Sequence, residues 1–193
     1  MTTKKSKTNR LEPRDWERAA LDMIADKGLA ALSIPKLAAH LNVTKGSFYW
    51  HFEGLDVFLI AALTRWERSY TDRRIERFEE EFSSPSDRLK PWSVEAEVDH
   101  KAQALYLEIS NASATRPEFA NVVSRVVRKR TSFLERAFRH LGFSTHVAKR
   151  RAIITYSAYV GMLHLTRVAP EAIGSSKKRS ATVREAMRLF SRR

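Results

Sequence analysis

Cysteine is absent from the 193 residues, which excludes disulfide staples, thiolate catalysis and cysteine-ligated zinc and suits a reducing compartment. Glycine is scarce as well. The six glycines never stand in Gly-x-Gly spacing, so neither a dinucleotide fingerprint nor a phosphate-binding P-loop can be built, and no Gly-x-Ser-x-Gly nucleophile elbow occurs. Long apolar runs are missing too: the longest uncharged stretch, residues 152–166, is fifteen residues that include Ser, Thr, Tyr and His, too short and too polar to span a membrane. The N-terminus is rich in Lys and Ser with no apolar stretch behind it, so no secretory signal is read and a cytoplasmic protein is expected. Glu97 and His100 form one Glu-x-x-His pair, but helical di-iron sites need two such pairs with further carboxylates. No metal site, catalytic residue or cofactor is therefore assigned.

Acid is in deficit: 35 Lys and Arg face 22 Asp and Glu, a net charge of +13. That excess invites a nucleic-acid reading, but its placement complicates it. Residues 1–52 carry +4, residues 53–115 carry −5 and residues 116–193 carry +14. The arginines of the last third, among them Arg125, Arg128, Arg130 and Arg151, admit two accounts. One is a solvated face balanced by Glu76, Glu79, Glu80 and Glu81; the other is a guard around a cavity for an anionic ligand.

Apolar residues recur with helical spacing along the whole chain and nowhere alternate as a strand, which predicts an all-α fold of about nine helices. Residues 1–10, with Lys4, Lys5, Lys7 and Arg10, read as a disordered basic arm. Glu12-Pro13 starts a helix with inner stripe Trp16, Ala19, Ala20, Met23 and Ile24, ended by Gly28. A long helix is predicted over residues 55–82, with the stripe Leu55, Leu59, Ala62, Leu63, Trp66 and Tyr70 followed by Ile75, Phe78 and Phe82. Residues 83–86 break it, Ser93 caps a helix with Val98, Leu105, Tyr106 and Ile109 inward, and Pro117 opens another that Gly142 stops. Ser144 caps a helix reaching Val168. Residues 170–180 read as a loop, and Thr182 with Glu185 forms a capping box for a last helix striped by Val183, Ala186, Met187 and Phe190.

Residues 33–52 hold the densest pattern. Ser33 precedes the stripe Ile34, Leu37, Ala38 and Leu41, and Thr44 precedes a second short helix, each hydroxyl placed to cap backbone N–H groups. Between them Asn42 tolerates a left-handed turn, and Val43 can plug the angle between the helices. Phe48 and Phe52, spaced i, i+4, face inward and leave Lys45, Ser47, Tyr49, Trp50 and His51 for phosphates and base edges. This is a helix-turn-helix; the competing account is a surface helical hairpin whose aromatics are core. The pattern Ser33-Ile34, Leu37-Ala38 and Val43 to Phe52, with the helix before it, closely resembles the TetR family of bacterial transcriptional regulators over roughly residues 10–65. Two departures are visible: Asn42 stands in the turn where the family usually has glycine. Leu55 stands where it often has a phosphate-directed lysine, which shifts weight to Lys36, Lys45, Tyr49, His51 and the arm.

The resemblance implies a helix-turn-helix DNA-binding domain over residues 11–54 and a larger helical ligand-binding and dimerisation domain over residues 55–193. Its expected DNA-binding residues are Ser33, Lys36, Thr44, Lys45, Gly46, Ser47, Tyr49, Trp50 and His51. The helix of residues 145–168 is apolar on two faces and so needs burial on two sides, in a monomer core or against a second copy. The resemblance favours a homodimer through Ser157, Ala158, Gly161, Val183, Met187 and Phe190. It also implies a small-molecule effector in an apolar pocket, with Tyr106, Phe119, Phe133, Tyr156, Tyr159 and His164 as candidates. The function so implied is a ligand-responsive regulator, a repressor released from a palindromic operator in double-stranded DNA, working in the bacterial cytoplasm at the nucleoid. The alternative is an architectural DNA-binding protein of the same fold without an effector. A helical enzyme is a third class that the motif search disfavours.

Overall fold

The computed structural model describes residues 11–82, 84 and 100–191. The basic arm, most of the break after residue 82, the Ser93 cap, Val98 and Glu97 lie outside them. Helix α1 (Pro13–Lys27) opens on Glu12, whose side chain accepts the N3 backbone N–H while Asp15 accepts the Glu12 N–H. A 3₁₀ turn (Leu29–Ala31) leads to α2 (Ile34–His40) and α3 (Lys45–Tyr49). Helix α4 is continuous but uneven: Leu55–Glu67 is α-helical, Arg68–Asp72 is a π-helical turn, and Arg73–Glu81 is α-helical again. Then come α5 (His100–Ala112), α6 (Pro117–His140), α7 (Thr145–Val168), the short α8 (Pro170–Ile173) and α9 (Ser176–Ser191). Nine helices and no strand occur among the described residues.

Three apolar clusters organise these helices. The first, Trp16, Ala19, Ala20, Met23, Leu37, Ala38, Phe48, Phe52 and Phe58, packs α1 to α3 against the start of α4. Its aromatics meet edge to face, Trp16 and Phe58 each about 5 Å from Phe48 (5.4 and 5.2 Å between centroids), the arrangement that ring quadrupoles favour. The second joins the other face of α1, through Leu21 and Ile24, to Leu59, Leu63 and Trp66 of α4, Leu105 and Ile109 of α5, and Phe119 and Val126 of α6. Helices α1 and α4 therefore belong to both clusters, so the first three helices are not free to swing independently. The third packs Phe78 of α4 with Phe133, Leu134 and Phe138 of α6 and Ala148, Ala152 and Tyr156 of α7. Ion pairs reinforce the joint between α1 and α5: Lys101 Nζ lies 2.9 Å from Asp22 and 3.6 Å from Asp26.

Two expectations at the C-terminal end are corrected. Residues 170–180 are not one loop: α8 forms, Gly174 breaks the chain at φ 75°, and α9 starts at Ser176. Thr182 accordingly lies inside α9 and caps nothing, its hydroxyl donating to Lys178 O at 3.1 Å. A threonine hydroxyl satisfied by the carbonyl four residues back needs no helix end, and Lys177, Lys178 and Arg179 are good helix formers. Ser144, by contrast, caps α7 by accepting Val147 N–H.

Candidate nucleic-acid interface

The second helix of the motif is short because its sequence does two jobs. Phe48 is 0% exposed, anchored by Trp16, Phe52 and Phe58, and the Phe52 N–H still donates to Phe48 O at 3.0 Å beyond the helix end. That anchor fixes the helix from below and turns Tyr49 and Trp50 outward. Tyr49 is 59% and Trp50 78% exposed, large aromatic surfaces left in water at the end of a five-residue helix. Tyr49 packs edge-on against Phe48 at 5.5 Å between centroids, which limits its freedom while leaving its hydroxyl outside.

The turn ahead of α3 sets its angle. Asn42 has φ 55°, a left-handed conformation that asparagine tolerates, and Val43 packs half-buried against the first cluster. Ser33 and Thr44 hold extended N-cap backbones, but neither side chain makes the cap bond expected of it. Their position is right and the bond is not made; Thr44 is exposed and Ser33 half-buried. An exposed N-terminal end whose N–H groups lack side-chain partners is the kind of terminus that phosphate oxygens occupy.

On this surface Lys36, Thr44, Lys45 and Gly46 are exposed, and Ser33, Ser47 and His51 are half-buried. All nine expected residues fall on α2, α3 and the turns flanking them. Phosphate contacts can come from Lys36 and Lys45, and base-edge contacts from Ser47 and Trp50. The acids nearest this end in sequence are the exposed Glu53 and Asp56, and Arg116 lies 3.5 Å from Asp56.

The other expected sites lie on α5, α6, α7 and α9. Tyr106 and Tyr156 hydroxyls lie 2.9 Å apart in the interior, with Tyr159 against both rings and the Arg130 guanidinium 5.4 Å from the Tyr106 ring centre. Burial holds the Tyr156 hydroxyl well above its usual range, the nearby Arg130 charge opposing it only in part. Phe119 shares the second cluster with Tyr106 and Phe133 shares the third with Tyr156, Tyr159 packing against both, while His164 is exposed on α7. Of the candidate dimer residues, Ser157 and Gly161 lie on the outer side of α7, and Ala158 lies between that side and α9. Val183, Met187 and Phe190 lie beside α7 of their own chain, where the α9 stripe runs past Tyr159 and Met162.

Sequence reasoning missed the polar residues that work inside this scaffold. Arg130 is buried, its Nη2 donating to Tyr70 O and its Nε to Thr71 Oγ1. A signal existed, since Arg130 stands four residues after Val126 on the inner stripe of α6. Of the +14 segment, Arg125 and Lys129 pair with Glu67 and Arg136 with Glu79, so a small part of that charge is matched by acids of α4. Glu67 was absent from the expected acidic set, of which Glu79 forms an ion pair among the described residues.

Residues 18–62 match the family model of bacterial regulatory proteins of the tetR family. No curated protein matches the sequence. Solved structures share the fold: a transcriptional regulator from Saccharomonospora viridis in complex with choline has a TM-score of 0.81 at 15% identity, over 91% of this chain and 95% of that one. A transcriptional regulator from Rhodococcus sp. Rha1 has a TM-score of 0.76 at 18% identity, over 93% and 96%. A TetR-family transcriptional regulator from Agrobacterium tumefaciens has a TM-score of 0.75 at 15% identity, over 92% and 98%. Residues 18–62 thus carry the helix-turn-helix segment of the tetR family of bacterial regulatory proteins, and the chain as a whole has the all-helical fold of its solved transcriptional regulators.

Proposed function

We propose that this protein is a homodimeric, ligand-responsive transcriptional regulator, a repressor that leaves a palindromic operator when a small molecule binds. Residues 11–54 would form the reading head and residues 55–193 the regulatory and dimerisation unit. The observation that carries the DNA reading is the pair Tyr49 and Trp50, held outward by a fully buried Phe48 on a helix flanked by Lys36 and Lys45. Aromatic area of this size, left exposed beside cations, fits a surface meant to be covered by a partner. Two-fold pairing fits as well. The outer face of α7 presents Ile154, Ser157, Gly161, Leu165 and Val168 to solvent, an apolar stripe broken by small residues that let a second helix approach. A dimer places two reading heads on two half-sites, and an effector acts by favouring one spacing of the heads over the other.

Selection from a random oligonucleotide pool should return a palindrome for the wild type. Tyr49→Ala or His51→Ala should weaken binding to all sequences alike, while Ser47→Ala or Trp50→Ala should shift base preference, each lost base contact worth roughly 1–3 kcal/mol. A pool that yields no preferred sequence would sink the reading. Operator binding that no small molecule relieves would favour the architectural alternative.

A further inference from the structure

The carboxylate of Glu108, on α5, holds two separate elements at once. Its Oε1 accepts from Nη1 and Nη2 of Arg167, each at 3.1 Å, in the last turn of α7. Its Oε2 accepts the N–H of Leu29 at 3.4 Å, where the 3₁₀ turn that leads into α2 begins. An N–H at the start of a helical turn has no acceptor within that turn, so the carboxylate satisfies a donor otherwise left to water. The chain is shaped for this approach. Gly28, beside Leu29, has φ 79°, and a β-carbon there would stand 3.3 Å from Glu108 Oε2. Any other residue would be strained in its backbone and pressed against the carboxylate, so glycine suits both demands.

The two ends of this bridge belong to the two halves of the molecule. Arg167 stands four, seven and eleven residues after Leu163, Val160 and Tyr156, so it shares their flank of α7, beside the outer stripe that ends in Leu165 and Val168. Leu29 stands four residues before Ser33, where α2 and the helix-turn-helix begin. Apolar packing joins the same parts, since Leu21, Ile24, Leu163 and the half-buried Leu29 meet in one cluster. Apolar burial has no direction, however, whereas a hydrogen bond fixes an angle. Lys101 ties α5 to α1 through Asp22 and Asp26, but those pairs do not reach α7. Glu108 orients what the cluster only holds together.

We propose that Glu108 is a positioning residue that sets the spacing of the two reading heads, tying Leu29 of each head to Arg167 beside the paired α7 stripe. The proposal rests on the homodimer reading and deepens it, and a measurement without DNA separates their failures. Because the chain has no cysteine, Ala39→Cys on exposed α2 places a single spin label on each head, and pulsed dipolar spectroscopy reads the distance between them. That distance should be narrowly distributed in the dimer. Glu108→Ala in the same background should broaden or displace it, with helix content and sedimentation unchanged. On DNA, the selected palindrome competes with versions whose half-sites stand one base pair closer or farther. Glu108→Gln, which can still accept the Leu29 N–H, and Arg167→Gln should each reduce the preference for the selected spacing roughly threefold to tenfold, as expected for two part-exposed ion pairs per dimer. Affinity for a single half-site should not change. The double variant should be no worse than either single one, because both remove the same contact. The proposal is overturned if Glu108→Ala leaves the label distance as it was, or if Glu108→Gln leaves the spacing preference at the wild-type value. It is equally overturned if half-site affinity falls by the same factor as palindrome affinity, since Glu108 then serves only the fold of the head. A monomeric wild type removes the dimer reading and this proposal with it, whereas a dimer with a Glu108-dependent label distance that selects no palindrome removes the operator reading alone.

Discussion

Glu67 is 5% exposed, and both its oxygens are occupied: Arg125 Nη2 lies 2.7 Å from Oε2 and Lys129 Nζ 2.8 Å from Oε1. Burial alone would push this carboxyl up; the hydrogen bonds and charges of Arg125 and Lys129 outweigh it and hold it below its ordinary value. A carboxyl depressed in the folded state contributes stability that is fully present above its unfolded pKa and is lost as pH falls through the folded one. Glu67→Gln should therefore cost roughly 1–3 kcal/mol near neutral pH, the worth of hydrogen bonds to a charged group, with two half-exposed cations placing it toward the lower end. Urea melts of both proteins across the acid range check this. The difference should shrink once pH falls below the ordinary carboxylate value; a gap that stays constant there would mean that Glu67 acts through packing rather than charge.

Helix α4 carries its irregularity at a place the sequence marks. Its inner residues run Leu59, Leu63, Trp66 and Tyr70 at intervals of three or four, then jump five to Ile75 before Phe78 and Phe82. The π turn over Arg68–Asp72 absorbs that extra residue, and Arg130 bonds Tyr70 O and Thr71 Oγ1 within it. Deleting Ser69 should thus restore an unbroken α-helix in which both halves keep their buried faces. Deleting Thr64 instead rotates Phe58, Leu59, Ala62 and Leu63 by about 100° relative to Trp66. Circular dichroism melts should find the Ser69 deletion folded and the Thr64 deletion largely unfolded; equal damage from the two would mean that the π turn is needed in its own right. Elements of this kind were legible from sequence because they are local. Residues 33–52 disclosed the helix-turn-helix, since its buried Phe48, its turn and its exposed face lie within twenty consecutive positions. The seating of α9 on α7 was not legible, because the α9 stripe reads identically whether it covers its own chain or a second one. The Thr182 box misled for a related reason: a Thr-x-x-Glu spacing also occurs inside helices, where the hydroxyl finds the carbonyl behind it.

At the scale of the whole molecule, the distribution of charge and of exposed apolar area point to different surfaces. The +14 of residues 116–193 is partly neutralised by α4, whereas, apart from Tyr49 and Trp50 and from Val57 and Ile60 of α4, the large apolar residues left outside lie on α7 (Ile153, Ile154, Leu165 and Val168) and α9 (Leu189). A β-carbon at Gly161, in the middle of the outer stripe, would meet nothing within 4 Å in the single chain. The absence of a side chain there is therefore not explained by the packing of one copy. Gly161→Arg should leave the isolated fold intact, and even favour α7 by up to about 1 kcal/mol through helix propensity, because glycine is among the poorest helix formers. Across a two-fold contact the same arginine would meet its symmetry mate and hold the paired helices apart. The expected result is a variant with wild-type helix content that sediments as a monomer at micromolar concentration. Its affinity for a full palindrome should fall to that for a half-site, since the second reading head no longer arrives with the first. A Gly161→Arg protein that still sediments as a dimer would move the contact away from the α7 stripe. A wild type that is monomeric at that concentration would remove the dimer from the proposal altogether.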